Sequence, residues 1–382
     1  MVPYEYTTLV EALKGIPDPR KARGKRHPWE LILALIALAI LHGENTPYGI
    51  GAWVAAHEKA LRTLLKPSRS YLPSASTLRR ALLHIDIARA EEQLRRFTVA
   101  QVKRRHKGGY QGVALDGKNI RGTYKHGKPT HLLSAVYHHP AVVVAQTEVE
   151  CKENEISAAP DLLAQMDLRG CVVTADALLT QQRLCRQIVE QGGHYLMEVK
   201  GNQSRLQEDI ALLFEEPPWT RGEKAQEYQR FTSVDKGHGR LERRILEAST
   251  TLNDYVDWPY LGQVIRRTII RTDLKTGETS VTVRYAITSL SPEQADAARL
   301  EQLWRGHWTI ENRVHYVRDV SMGEDAGQTH TGHIPRALAL FRCMVLTLLR
   351  LAGWRHIPDA FRHYRASLNH SLQLLGLLPD ST

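Results

Sequence analysis

Two aspartates each follow a short apolar segment, a position where metal sites are commonly built on an α/β sheet. Asp116 follows residues 113–115, and Asp176 follows residues 171–175. Carboxylate oxygens are the ligands that Mg²⁺ prefers in proteins. Two Mg²⁺ ions can activate an attacking oxygen and neutralise a leaving oxygen, which is the chemistry that breaks a phosphodiester bond. A lone aspartate at a strand end is more often a turn or cap residue, so the prediction depends on whether the two aspartates meet.

The order of the predicted elements brings these two aspartates together. From residue 111 onward the pattern predicts three strands, followed by alternating helices and strands. The predicted strands are 111–115, 131–138, 142–149, 171–175 and 194–199, and the predicted helices are 157–166, 180–191 and 203–214. This order is typical of the α/β ribonuclease H-like fold, in which the first and fourth strands are neighbours at the centre of a mixed sheet. Asp116 and Asp176 are therefore predicted to lie close together.

A third carboxylate is available in a long helical stretch predicted for residues 292–319. Four residues of this stretch share one face at helical spacing: His307, Glu311, His315 and Arg318. Glu311 can complete a three-carboxylate site, but it can equally pair with a basic neighbour on its own face. The rival acids Glu324 and Asp325 follow a glycine, and we interpret them as a surface turn or a structural helix cap. The residues by themselves leave the third carboxylate open.

A β-rich insertion separates the two aspartates from this helical stretch. Its predicted strands are 241–248, 262–271 and 280–288, and the last of them is in a position to rejoin the main sheet. The predicted organisation is a helical basic domain, the first part of a ribonuclease H-like domain, the β-rich insertion and a C-terminal helical part of the same domain. Their respective bounds are 1–107, 108–216, 217–291 and 292–382.

The positive charge is concentrated in the N-terminal part of the chain. Residues 1–107 hold 19 Lys and Arg against 9 Asp and Glu, an excess of ten, whereas the rest of the chain carries 32 of each sign. Such an asymmetry is typical of a module that binds a polyanion, although a solubilising surface explains a basic patch about as well. A capped helix after residue 73 carries Arg79 and Arg80 near its start, as does the second helix of a helix-turn-helix. A proline-bounded loop carries five more cations that can follow a phosphate backbone: Arg20, Lys21, Arg23, Lys25 and Arg26.

The cysteines and the apolar segments limit the cellular compartment. The four cysteines are scattered without a C-x-x-C pair, so we expect reduced, buried thiols and no zinc site. The longest apolar run, residues 31–41, is too short to cross a bilayer. The first residues lack the basic and apolar segments of a signal peptide. These features predict a cytoplasmic protein that does not bind a membrane.

An ordered set of short motifs resembles the insertion-sequence transposases of the DDE class, in particular the branch that includes the H-repeat-associated proteins. The similarity covers nearly the whole chain. Any single motif is weak, and the order of the set carries the resemblance. The motifs are Ile16–Pro28, Pro73–Arg80, Leu115–Lys118, Lys152–Ile156, Thr174–Ala177, Lys200–Gln203, Arg305–Asn312, Arg318–Val320 and Gly323–Asp325.

The resemblance implies that Asp116, Asp176 and Glu311 are the catalytic triad and that they bind two Mg²⁺ ions, which Mn²⁺ can replace. Related transposases carry a tyrosine, an arginine and a Lys or Arg around the last carboxylate, and Arg318 can fill the last of these places. Cations, amides and ring side chains near the triad are candidate DNA contacts. They are Lys118, Arg121, Lys200, Asn202, Gln203, Arg305, His307, Trp308, Asn312, His315 and Arg318.

The sequence therefore predicts a transposase that binds the terminal inverted repeats of a mobile element and cuts and joins DNA strands. Its partners would be the double-stranded DNA of the element ends and of the target. A homodimer on DNA is expected because two ends must be held together. Two alternatives remain: a DNA-binding protein of the same descent that does not cut, and a structure-specific nuclease on the same fold.

Overall fold

The structure is a computed structural model that describes residues 8–106, 108–125, 128–150, 154–221 and 227–379. The chain forms two compact units. The first unit comprises Met1–Gly108, Gly117–Lys152 and Ile310–Thr382, and the second comprises Gly109–Asp116 and Glu153–Thr309. The chain thus passes from the second unit to the first within one strand, directly after Asp116.

The helices are numbered in chain order. They are α1 (Leu9–Lys14), α2 (Trp29–Leu41), α3 (Pro47–Ala56), α4 (Glu58–Leu65), α5 (Ala75–His84), α6 (Ile87–Arg105), α7 (Glu155–Ala164), α8 (Gln182–Glu190), α9 (Ser204–Glu215), α10 (Ala297–His307), α11 (Ile334–Leu351), α12 (Ile357–Ala366) and α13 (Leu368–Leu374). Two π-helical segments, Ile310–His315 and Val317–Ser321, lie between α10 and α11.

The strands are also numbered in chain order. They are β1 (Gln111–Lys125), β2 (Lys128–Tyr137), β3 (Val142–Val149), β4 (Cys171–Ala175), β5 (His194–Val199), β6 (Tyr228–Gly237), β7 (Arg240–Ser249), β8 (Gln263–Asp273) and β9 (Thr279–Thr288).

The core of the first unit is built around α2. Every residue from Ile32 to Leu41 is apolar and buried. A helix that is apolar on all sides must be covered on all sides, and α2 packs against α1, α3, α5, α11, α12 and α13. The other long buried helix of this unit, α11, packs against α2, α6 and β3. The predicted apolar helices at 29–42 and 336–351 therefore both become central helices of the first unit.

The second unit contains a mixed sheet in the order β1-β4-β5-β9-β8-β7-β6. The first part of β1 is parallel to β4, β4 is parallel to β5, and the remaining pairs are antiparallel. The adjacency of the first and fourth strands agrees with the predicted order. The last strand of the predicted insertion does rejoin the sheet, since β9 pairs with β5. The predicted α/β class with a large mixed sheet is confirmed.

Helix α10 packs on this sheet through its apolar side. Leu300, Leu303 and Trp304 are buried against residues of β7, β8 and β9. Asp296 caps the helix by accepting a hydrogen bond from the backbone N–H of Arg299 at 2.8 Å, which satisfies one of the free donors at the helix start. This packing fixes the C-terminal end of α10, where His307 lies.

The predicted long helix at 292–319 is corrected in two respects. The α-helix begins only at Ala297, and beyond His307 the chain continues as π-helical segments. The wider π-helical turn ends the α-helical alignment, so the predicted common face of four residues does not form. Their burial shows this, because the Glu311 side chain is 62% exposed whereas those of His315 and Arg318 are 3% and 0% exposed.

Other boundaries differ in ways that local chemistry explains. The single helix predicted at 50–65 is divided into α3 and α4 at His57, whose ring Nδ1 lies 2.9 Å from the carbonyl of Trp53. Strand β6 was not predicted, because most of its residues are polar or partly exposed. The C-terminal region beyond residue 354, where no element was predicted, contains α12 and α13.

The cysteines in the described part of the chain are reduced and buried. Cys171, Cys185 and Cys343 are buried free thiols, as expected, and Cys151 lies outside the described residues. Lys152 and Glu153, the start of one of the motifs, also lie outside them. No helix in the described part of the chain is long and apolar enough to cross a membrane.

The close crossing of α3 and α5 leads to a stability prediction. A Cβ atom at Gly51 would lie 2.4 Å from the Cβ of Ala75. We expect Gly51→Ala to lower the free energy of unfolding by about 1–3 kcal/mol, because overpacking forces the helices apart. In Gly24→Ala the new Cβ would meet its nearest atom at 3.7 Å, so this control should leave stability nearly unchanged. Chemical denaturation followed by tryptophan fluorescence measures both; equal stabilities would contradict the tight crossing.

Candidate functional site

Asp116 and Asp176 directly follow the last paired residues of β1 and β4 in the second unit, although β1 itself continues beyond the predicted end to Lys125. The parallel register of β1 and β4 pairs Leu115 with Ala175, so the next residue on each strand is an aspartate. Because neighbouring strands are about 4.8 Å apart, the two carboxylates project from the same edge of the sheet. Asp176 also caps a short 3₁₀ turn, where its Oδ1 accepts a hydrogen bond from the backbone N–H of Leu178 at 3.1 Å. The second unit thus provides two hard oxygen ligands side by side.

The loop after Asp176 is held by polar side chains from the β5–α9 connection. The Asn202 side-chain amide donates to the carbonyl of Ala177 at 2.6 Å, and that of Gln203 donates to the carbonyl of Thr180 at 3.0 Å. Both residues were predicted as DNA contacts. In the structure their amide groups hold the loop that carries Asp176, and their contact with DNA stays a prediction.

The same edge of the second unit carries exposed groups that were predicted to contact DNA. Lys200 is 57% exposed on its side chain and lies 3.2 Å from Glu198. Trp308 is 43% exposed, and the guanidinium of Arg284 lies 5.2 Å from its ring centroid. Arg305 lies 3.1 Å from Asp235 and is about half exposed. These cations and this ring are accessible to a ligand.

His307 lies beneath this edge. Its Nδ1 is 3.2 Å from the Oγ1 of Thr174, on the strand that leads to Asp176. Burial lowers the pKa of His307, although the nearby carboxylates of Asp176 and Glu198 act in the opposite direction. The imidazole is therefore neutral at pH 7. Its contact with β4 makes it a positioning residue for the strand rather than the DNA-stacking residue that was predicted.

Glu311 and His315 lie together in the first π-helical segment, in the first unit. The Glu311 Oε2 and the His315 Nδ1 are 3.3 Å apart. The hydrogen bond with His315 and the charge of Lys118 lower the pKa of Glu311, so the carboxylate is ionised at neutral pH. Carboxylate oxygen and imidazole nitrogen are both ligands of divalent ions. Glu311 and His315 are candidate metal ligands, as is Asp116.

A buried charge cluster follows Glu311 in the first unit. We define it as Arg318, Glu324 and Arg342, whose side chains are each at most 4% exposed. The Nη2 of Arg318 donates to the Oε1 of Glu324 at 2.8 Å, and the Nη1 of Arg342 donates to the same oxygen at 3.4 Å. Arg342 also donates to the carbonyl of Asn45 at 3.0 Å. Buried charges are costly unless they are paired and hydrogen-bonded. Glu324 is paired with both arginines, whereas its Oε2 and the Nε of each arginine have no hydrogen-bond partner among the described residues.

The cluster corrects three sequence interpretations. Glu324 is not a surface turn residue but is 1% exposed, and two guanidiniums neutralise it. Arg318 is fully buried, so it is not placed to contact a phosphate. Lys118, also predicted as a DNA contact, is 7% exposed; it bonds Asp319 and lies 4.0 Å from Glu324 and from Asp325. Arg342 was missed, although an arginine within the apolar sequence of α11 was a signal that could have identified it.

The remaining predicted DNA contacts are mostly exposed, with the exception of Arg20. Arg20 bonds Asp18 at 2.8 Å, and its guanidinium lies 5.3 Å from the ring centroid of Trp29. A cleft of about 270 Å³ lies between the N-terminal loop and α5, with Arg20, Lys21 and Arg80 in its lining. The structure thus brings together the loop and the helix that were predicted to bind DNA. The exposed residues of the set are Lys21, Arg23, Lys25, Arg26, Arg79, Arg80, Arg121 and Asn312.

Two families match the chain. The family described as DDE_Tnp_1-associated matches residues 10–98, and the family described as Transposase DDE domain matches residues 107–348. The Escherichia coli O157:H7 protein named "Putative transposase YncI" is 28% identical over 361 residues, which cover 90% of this chain and 87% of that protein. The "H repeat-associated putative transposase YhhI" of Escherichia coli strain K12 is 26% identical over 355 residues, which cover 90% of this chain and 91% of that protein.

One solved structure with a similar chain trace is the "Cryo-EM structure of piggyBac transposase synaptic complex with hairpin DNA". The match covers 98% of this chain and 83% of that chain, with a TM-score of 0.44 and 8% sequence identity. A likeness of this degree carries no argument about function.

The buried charge cluster leads to a pH-dependent stability prediction. Burial acts to raise the pKa of Glu324, but Arg318 and Arg342 outweigh it and the net direction is down. A lowered pKa in the folded state contributes stability that is present above the ordinary carboxyl pKa of about 4.3 and is lost as the pH falls through the folded value. At pH 7 we expect Glu324→Gln to lower the free energy of unfolding by about 3–5 kcal/mol, since it leaves two buried arginines without a counter-charge.

The difference between the native protein and Glu324→Gln should narrow as the pH falls below about 4.3, because Glu324 is then protonated in the unfolded chain and, at its lower folded pKa, in the native protein as well. Denaturant unfolding at a series of pH values measures this. Glu150→Gln, at an exposed position of the first unit, is the control and should differ little from the native protein at any pH. A constant difference for Glu324→Gln would show that its charge is not what stabilises the cluster.

Proposed function

The chain belongs to the Transposase DDE domain family, and from this premise we propose that it is a DNA transposase whose reaction depends on Asp116, Asp176 and Glu311. The resemblance to the branch of H-repeat-associated proteins is confirmed by the relatives that bear this name. The observation that carries the proposal is the pair of aspartates that directly follow the last paired residues of β1 and β4. We further propose that the sheet is of the ribonuclease H-like type, with β6 to β9 as its insertion.

The family implies the use of divalent metal ions, and the donors described above fit such ions. We propose that Asp116, Asp176 and Glu311 bind two Mg²⁺ ions, with Mn²⁺ as a substitute. Such ions would lower the pKa of an attacking water and neutralise the charge on the leaving oxygen. The protein's own part is to orient the carboxylates: Asp176 through its backbone cap, and Glu311 through His315.

Glu311 is a better third ligand than Glu324 on physical grounds. Glu324 is fully buried and already accepts hydrogen bonds from two arginines. Glu311 is largely exposed, and the imidazole of His315 lies 3.3 Å from its Oε2. A metal site needs oxygen atoms that can reach the substrate and keep open positions for water and phosphate. Glu311 meets this requirement, whereas a metal at Glu324 would have to displace a buried ion pair.

The proposed reaction has two steps. Water attacks a phosphodiester at the element end, the bond from phosphorus to the 3′ oxygen breaks, and a 3′-hydroxyl and a 5′-phosphate result. The 3′-hydroxyl then attacks a target phosphodiester and displaces its 3′ oxygen, which joins element to target. We propose that residues 1–107 bind the inverted repeats and that the protein acts on chromosomal DNA in the cytoplasm. Two element ends would require at least a homodimer.

The triad is tested with three conservative variants. Asp116→Asn, Asp176→Asn and Glu311→Gln keep side-chain size but remove the negative oxygen that binds a metal, so each should lower strand cutting by at least about a hundredfold. Cutting is measured on a labelled duplex that carries the inverted repeat flanking the gene, with Mg²⁺ or Mn²⁺. Glu150→Gln is the control and should cut like the native protein.

Binding measurements on the same variants separate the proposed enzyme from the alternatives. Each triad variant should bind the duplex with native affinity and bind Mn²⁺ more weakly in titration calorimetry. A native protein that binds DNA but does not cut in either metal would be a silent DNA-binding protein. Cutting without joining to a target duplex would indicate a nuclease. Unimpaired cutting by Glu311→Gln would remove Glu311 from the triad.

The positioning role of Asn202 is tested separately. Its amide bonds the carbonyl of Ala177 next to Asp176, so Asn202→Ala should loosen the loop and slow cutting roughly tenfold or more, since a misplaced ligand costs rate. The dissociation constant for DNA should stay unchanged. A variant with weaker DNA binding and a normal rate at saturating DNA would instead support the direct DNA contact that the sequence predicted.

A further inference from the structure

A second basic cleft lies in the first unit, and its lining contains none of the individual residues that the sequence predicted to contact DNA. It has a volume of about 370 Å³ and is formed by α4 and the loop that follows it. Four of the residues that line it are cations and none is an acid; the remainder are small polar residues and one proline. The lining consists of Lys59, Arg62, Thr63, Lys66, Pro67, Ser68, Arg69 and Ser70.

The four cations, Lys59, Arg62, Lys66 and Arg69, are exposed. Other arginines of the first unit are tied to acids: Arg20 to Asp18 and Arg336 to Glu91, for example. Within the part of the chain that the structure describes, none of the four cleft cations takes part in an ion pair. Glu58 is the acid nearest in sequence, and its Oε1 accepts a hydrogen bond from the backbone N–H of Leu72 at 3.4 Å. Four cations in one concave surface therefore keep their charge available for an anion.

The backbone at Lys66 adds an independent observation. Lys66 ends α4 in the left-handed conformation, with φ of 44° and ψ of 54°. Glycine and asparagine are the usual residues at such a helix end, because a side chain with a Cβ is strained there. A side chain with a Cβ is therefore present at a position where the backbone conformation favours glycine or asparagine. A lysine in a strained conformation on the wall of a basic cleft indicates that its charge has a use.

The cleft is continuous with the N-terminal loop. The ring of Tyr71, next to the cleft, makes an edge contact with the ring of His27, with centroids 5.2 Å apart. Burial lowers the pKa of His27, and the charges of Arg20, Arg69 and Arg26 lower it further. Arg69 from the cleft and Arg26 from the loop thus both act on one imidazole. The two basic segments meet at the contact of Tyr71 with His27.

We propose that this cleft binds the phosphate backbone of duplex DNA, so that the DNA-binding surface runs from the loop of residues 20–28 across Tyr71 to Lys59. The inference rests on the proposed function as a DNA-binding transposase, and it adds a binding site to it. The ligand that we assign is a row of phosphates, because Lys, Arg and Ser side chains are groups that contact the phosphate oxygens of DNA.

The test uses the full-length protein and a matched pair of double variants. Lys66→Gly with Arg69→Gln removes two cleft cations, and the glycine is suited to the left-handed backbone, so the thermal midpoint should be unchanged or higher. Lys275→Gln with Arg362→Gln removes two exposed cations elsewhere and leaves the same net charge. The dissociation constant is measured by fluorescence anisotropy on a labelled duplex of arbitrary sequence and on the inverted-repeat duplex, across a series of KCl concentrations.

We expect the cleft variant to bind both duplexes more weakly by the same factor. The plot of the logarithm of the association constant against the logarithm of the salt concentration has a negative slope. The magnitude of this slope should be smaller by about 2 in the cleft variant, since each phosphate contact contributes roughly 0.9. The control variant should keep the native slope. A cleft variant with the native slope and affinity overturns the proposal, as does a loss confined to the inverted-repeat duplex. The two proposals can fail separately. If the native protein binds DNA but does not cut it, and the cleft variant still shows the expected difference in slope, the proposed catalysis is refuted and the cleft remains a DNA site.

Discussion

The parallel pairing of β1 with β4 is the constraint from which the candidate chemistry follows. Residues 60 positions apart are placed in register from Gln111 opposite Cys171 to Leu115 opposite Ala175, and an aspartate follows the last pair on each chain segment. Two carboxylates in close proximity repel each other in the absence of a cation. The sheet maintains this proximity through strands that are buried and hydrogen-bonded, so the stability of the fold offsets the repulsion between the two carboxylates. The site is therefore preorganised for positive charge.

The part of this arrangement that local patterns encode could be predicted. The bounds of β4 and β5 match the prediction at both ends because each is a short, mostly buried segment with a glycine before it and a charged residue after it. Strand β6 was missed because it is polar and partly exposed, and only pairing with β7 along its length makes it a strand. The π-helical turns after His307 have the same residue types as an α-helix, so composition gives no sign of them.

The burial of charged residues could not be predicted because their partners are far apart in sequence. Lys118 meets Asp319, and Arg342 meets Glu324 and the carbonyl of Asn45. Glycine before Glu324 suggested a surface turn, and only the tertiary structure reveals that two arginines enclose this acid. The sequence was more reliable for exposed cations of the N-terminal loop, since a charged loop without apolar residues has no reason to be buried. The wrong predictions of exposure concern charged residues that acquire a partner on folding.

These same partners explain how an acid on an irregular helix can keep a fixed position. A π-helical segment has poorer hydrogen bonding than an α-helix and persists where its surroundings impose it. Helix α11 supplies two such restraints: Arg350 donates to the carbonyl of Arg313 in the first segment at 3.0 Å, and Arg342, through Glu324, holds Arg318 in the second. Glu311 lies in the first of these segments. This gives a reason for the buried cluster to be ionic rather than apolar. Directed hydrogen bonds can select the π-helical register, whereas non-directional apolar packing would allow the segment to become an α-helix.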